Sequence, residues 1–105
     1  LPPGLQMAQV AHAAFDLALW FPTSLEHWHA HSNYVVILAS DDLERDIGKV
    51  VLADPGQTYW KVVTEPDLPG CPMTAVAFLP RPHVGPALSE LPLAGRPKFT
   101  MANAV

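Results

Sequence analysis

Tyr34-Val35-Val36-Ile37-Leu38-Ala39, followed at once by Ser40-Asp41-Asp42, is the stretch on which the fold turns. A continuous β-branched and apolar run of this kind suits a strand buried on both faces, as in an α/β sheet. The serine and the two aspartates offer a helix cap. Leu43, Ile47, Val50 and Val51 then follow at i, i+4, i+7 and i+8, the spacing of an amphipathic helix. Gly48 weakens that helix by about 1 kcal/mol relative to alanine.

Outward from this strand–helix pair, the N-terminal side is helical. Pro2-Pro3-Gly4 reads as a loop. Residues 6–20 read as a helix, with Val10, Ala14 and Leu17 at helical spacing in an alanine-rich run. Pro22 ends it. Thr23 or Ser24 caps a second helix that runs through Trp28 to about His31, with Asn33 as its stop. On the C-terminal side Asp54-Pro55-Gly56 is a turn. Residues 59–63 and 73–79 read as strands, joined by a loop over 65–72 that holds three prolines and a glycine. Residues 84–91 suggest a short helix, and the tail from Pro92 reads as irregular.

The order α-α-β-α-β-β-α predicts one α/β domain over residues 1–105. Its expected form is a small three-layer domain, with helices flanking a mixed sheet of about four strands. Only three strands are visible. A strand leading into the first helix, upstream of Leu1, completes a β-α-β unit. No internal repeat is visible.

Composition narrows the classes further. Half of the 105 residues are hydrophobic, enough for one modest core. The net charge is −4 and the pI about 5.6. That balance argues against broad, non-specific binding of nucleic acid, which needs a basic face. Arg81, Arg96 and Lys98 remain as a local basic patch toward the C-terminus. The lone cysteine, Cys71, rules out an intrachain disulfide and a cysteine-based zinc site, and fits a reducing compartment. The longest apolar runs are too short to span a bilayer. The reading is a soluble cytoplasmic protein.

Ala8, Gln9, His12 and Ala13 stand in a pattern of Ala, Gln, two small residues, His and Ala near the start of the first helix. Trp28 in the second helix, the run from Tyr34, and Asp41-Asp42 at the next helix follow in order. Thr74-Ala75-Val76-Ala77-Phe78-Leu79-Pro80 closes the series with a strand that begins at a threonine and ends at a proline. Over roughly residues 2–91 this resembles the type-2 peptidyl-tRNA hydrolases. The chain departs from that family at Leu5, where the family has a lysine. It also departs at Thr64-Glu65-Pro66-Asp67-Leu68-Pro69-Gly70, a shorter loop in which Glu65 aligns best with the family's aspartate and Asp67 is a substitute.

The resemblance implies hydrolysis of the ester that joins a peptide, or an N-blocked amino acid, to the 3′ end of tRNA, a role in translation that needs no cofactor. Such chemistry requires an activated water and stabilisation of an oxyanion. On that basis His12 accepts a proton from water, Glu65 or Asp67 orients it, and Gln9 and Thr74 donate hydrogen bonds to oxyanion or substrate. Gln9 and His12, three apart, share a helix face. The expected partner is tRNA, not a membrane, and pairing into a homodimer is a further expectation. The alternative is a binding module of the same fold that has lost catalysis. It requires Leu5 to fill the lysine's place and His12 to be packed.

Each of these residues also has an ordinary role. A histidine in an alanine-rich helix is often a packed or capping residue, Thr74 a good strand residue, and Glu65 and Asp67 solvated loop charges. His27, His29 and His31 form a second cluster. His27 and His31 have the i, i+4 spacing that zinc uses, but surface histidines are the more ordinary reading, and no metal is expected. Trp20, Trp28 and Trp60 are more often packing residues than base-stacking platforms.

Overall fold

A computed structural model describes residues 2–95. The predicted basic residues Arg96 and Lys98 lie outside the described residues. The chain folds as helices α1 (Pro3–Trp20), α2 (Pro22–His31) and α3 (Leu43–Ala53), a 3-10 turn at Pro55–Gln57, strands β1 (Trp60–Thr64) and β2 (Met73–Phe78), and a short helix α4 (Val84–Ala87). The class is mixed helix and strand, as the alternation predicts. The described sheet, however, is a two-stranded antiparallel hairpin, β1 with β2, rather than a mixed sheet of about four strands.

The difference lies at residues 34–39. They form no strand: their one sheet contact is an isolated bridge between Leu38 and Leu93, with Ala39 N–H on the carbonyl of Pro92 and Ala94 N–H on that of Ile37. Tyr34, Val35, Val36 and Ile37 are exposed rather than buried. An apolar run announces a strand fit for burial on two faces, but burial needs neighbours on each side, and here the described chain supplies one short contact.

The helices start and stop for local reasons. α1 begins at Pro3, earlier than the loop reading of residues 1–4 allowed. Proline is at home in a first turn, where its missing N–H would have no partner, and Gln6 N–H closes that turn on the carbonyl of Pro2. α2 also begins on a proline, so Phe21 takes the N-cap position in place of Thr23 or Ser24, and no side chain caps it. α3 begins as read: the Asp42 side chain accepts from the Arg45 N–H at 3.0 Å.

α1 lies across both strands. Ala13 packs on Val63 and Ala75, with Val10 and Ala77 around them. Small residues on both sides let helix and hairpin approach closely. α3 packs on β2 and on α4. Val50 and Leu79 are the largest fully buried side chains. Thr58 ties this second region together: its hydroxyl lies 2.7 Å from the Asp54 carbonyl and 2.7 Å from His83 Nε2.

Asp46, on the first turns of α3, is buried yet charged. Its carboxylate accepts from the Ser40 hydroxyl and from Arg45 Nε at 3.2 Å, with Lys49 Nζ at 3.8 Å. The Ser40 hydrogen bond, working against desolvation and helped by Arg45, holds this carboxyl below its ordinary value of 3.8. A depressed folded-state pKa stabilises the fold above the ordinary value, and that contribution is lost as pH falls through the depressed one. Asp46→Asn is therefore expected to cost about 1–2 kcal/mol near neutral pH and to reduce the extra acid sensitivity below about pH 4. Urea melts across that range check it; a variant as acid-sensitive as the parent would contradict the assignment.

Candidate functional site

α1 reaches the loop end of the hairpin, and there the sequence-predicted residues meet in part. Gln9 is a polar residue buried at the helix–hairpin contact. Its side-chain amide donates to Glu65 Oε2 at 3.0 Å, across 56 positions of sequence. Glu65 follows β1 directly. Its other oxygen, Oε1, accepts the backbone N–H of Asp67 at 3.0 Å, and its own N–H reaches the carbonyl of Pro72 at 3.0 Å. A carboxylate with hydrogen bonds on both oxygens is fixed in place.

The loop that holds it turns back sharply. Gly70 and Cys71 take successive positive φ values of 80° and 45°, the second unusual for a residue with a side chain. The Cys71 N–H closes on the carbonyl of Leu68 at 3.0 Å. The strand register shifts between Val63 and Thr64, so Thr74 stands at an irregularity beside the loop. Such irregularities re-aim side chains. Here the Thr74 hydroxyl donates to the Val63 carbonyl at 3.2 Å. Its proton is engaged, so toward a bound group it acts as an acceptor unless it rotates.

His12, one turn beyond Gln9, is exposed, with a side chain 62% accessible. Its Nε2 lies 3.8 Å from Asp16 Oδ2, one turn further along α1. Among the described residues no hydrogen bond joins His12 to Glu65 or Asp67. The structure thus brings Gln9, Glu65 and the Asp67 backbone together, puts Thr74 at the same end of the hairpin, and pairs His12 with a different carboxylate. Asp16 was not among the sequence-derived candidates, although its i, i+4 spacing from His12 was a legible signal. The Asp67 side chain is exposed. Leu5 is exposed on the first turns of α1.

The second histidine cluster disperses. His27 and His31 stack ring on ring at 4.1 Å, while His29 Nδ1 faces Asn33 Oδ1 at 3.3 Å. Among the described residues no three His, Cys, Asp or Glu side chains gather as a metal would require. Trp20 lies under the Lys61 ammonium at 3.8 Å, and Trp28 donates to the Tyr34 carbonyl at 2.8 Å. No helix among the described residues is long and apolar enough to cross a membrane.

What these residues define is a helix laid on an antiparallel hairpin, with an amide–carboxylate pair locked at the hairpin's loop end and a histidine one turn away. No family model matches the chain, and no curated protein matches it.

Proposed function

We propose that the chain hydrolyses the ester bond of peptidyl- or N-blocked aminoacyl-tRNA, as its resemblance to the type-2 peptidyl-tRNA hydrolases implies. The observation that carries this reading is the buried Gln9 amide held on the Glu65 carboxylate, one helical turn from the exposed His12. In the proposed mechanism His12 takes a proton from the water that attacks the ester carbonyl and returns it to the 3′ oxygen of tRNA as the ester C–O bond breaks, and Asp16 orients its ring. Glu65 holds Gln9, and the remaining Gln9 amide hydrogen is available to the developing oxyanion. Thr74 accepts from the substrate, and Asp67 forms the outer wall of the loop. The exposure of His12 supports hydrolysis over the binding-module alternative, which requires that histidine packed. Under the same reading, the exposed run at residues 34–37 belongs to a sheet of about four strands in a three-layer domain, as its exposed apolar side chains suggest. The proposed partner is tRNA, the proposed setting the cytoplasm, and pairing of two copies is compatible with it.

The test is release of free tRNA from N-acetyl-aminoacyl-tRNA by the full chain and by His12→Ala. Turnover by the parent and a loss of about 100-fold or more in the variant are expected, the usual size of a general-base contribution. No release with enzyme in excess of substrate would sink the hydrolase reading and leave the binding module.

A further inference from the structure

A groove of about 460 Å³ runs between α2 and the chain leaving β2. Gln9 and Glu65 sit at the opposite end of β2, roughly 20 Å away at the usual rise of a strand. Thr23, Ser24, His27 and His31 line the helix side, and Arg81 lines the other; no carboxylate contributes to the lining.

Positive potential converges here. Arg81 is held in place by an aromatic stack: its guanidinium lies 5.6 Å from the Tyr59 ring, and Tyr59 takes the edge of Phe21 at 5.6 Å. Phe21 is the N-cap of α2, so the stack ties the guanidinium to the start of that helix. Arg81 Nε is buried without a hydrogen-bond partner. Arg45 and Lys49 each sit on an aspartate, whereas Arg81 forms no ion pair among the described residues. The start of α2 has no side-chain cap, and its first intrahelical bond is Leu25 N–H to the Phe21 carbonyl. The N–H groups of Thr23 and Ser24 therefore lack helical acceptors, and the helix dipole adds positive charge at that end. Down the groove, His31 Nδ1 donates to the His27 carbonyl at 2.8 Å, which leaves its Nε2 open.

A partly buried guanidinium that lines the groove without an ion pair, beside an uncapped helix start, is an electrostatic deficit that an anion offsets. We propose that this groove binds a phosphate group, held by the Arg81 guanidinium and the free N–H groups of α2, with His31 Nε2, an acceptor in the neutral ring, meeting a P–OH at its far side. A phosphate has oxygens to meet donors from several directions at once. The proposal does not depend on the hydrolase reading.

The test is a titration of the ¹⁵N-labelled full chain at constant pH and ionic strength, with inorganic phosphate and separately with a dinucleoside phosphodiester. The resonances followed are Arg81 Nε–H and the His27 and His31 rings. At least one probe is expected to give saturable shifts, with Kd raised about tenfold in Arg81→Gln, the size of one charge-assisted hydrogen bond. His31→Gln changes an exposed side chain and is expected to weaken binding about threefold, so it tests the site even if Arg81→Gln unfolds. Saturation by phosphate alone identifies a free or terminal phosphate, and saturation by the diester a nucleic-acid backbone; each upholds the site. Shifts that stay linear, or binding unchanged in both variants, would overturn it.

Discussion

Leu79→Ala is expected to destabilise the protein by about 3 kcal/mol, within the range for emptying a buried leucine site. Leu79 is 1% exposed, and its N–H bonds the Tyr59 carbonyl at 2.9 Å. It therefore anchors the exit of β2 both by packing and by backbone. The core around it is thin: the other buried apolar residues among those described are Ala13, Leu17, Val50, Val63 and Ala75. With so few buried side chains, little is at hand to collapse into the space, and the cavity term stays with the variant. For a domain whose stability is roughly 5–15 kcal/mol, such a loss is a large share. With a urea m-value of about 1.5 kcal/mol/M, the midpoint should fall by about 2 M. Leu79→Met, which nearly conserves volume, should cost less than about 1.5 kcal/mol. Equal midpoints for the parent and the alanine variant would mean that β2 is not anchored here.

Local chemistry made most of the elements legible. The alanine-rich run from Gln6 to Trp20, the cap at Asp42 and the β-branched residues of β1 and β2 each carry their conformation in their own side chains. The misreadings are non-local or depend on a proline at a helix start, Pro3 or Pro22. Pro22, at the first position of α2, moved the cap to Phe21, a residue with no capping side chain. The run at residues 34–39 reads as a buried strand from composition, yet its burial depends on which strands stand beside it. The candidate site follows the same division. Gln9 and His12 were visible through their pattern on one helix. That Gln9 is buried, and that its partner is Glu65 rather than Asp67, depends on how the 65–72 loop folds back on α1. Arg81 shows the limit most clearly, because it and its neighbours Tyr59 and Phe21 come from three separate parts of the chain.

On the proposed hydrolase reading, Glu65→Gln is expected to lower kcat/KM for ester hydrolysis by about 10- to 100-fold while leaving the fold intact. The two shapes are nearly identical, but the hydrogen bonding is not. Glu65 accepts at both oxygens, from the Gln9 amide and from the Asp67 N–H. A glutamine has one oxygen and one NH₂ group, so one of those two donors then faces another donor. If the oxygen stays with Gln9, the Asp67 N–H is abandoned and the loop loosens; if it turns to Asp67, Gln9 is released from its position. Either way the amide loses the fixed placement that oxyanion stabilisation requires. Gln9→Ala should cost a similar factor, and the double variant little more than either alone, because both changes disable one unit. Strictly additive losses would mean that Gln9 and Glu65 act separately. Unchanged turnover in all three variants would remove the amide–carboxylate pair from the mechanism and reduce it to a tie between α1 and the hairpin.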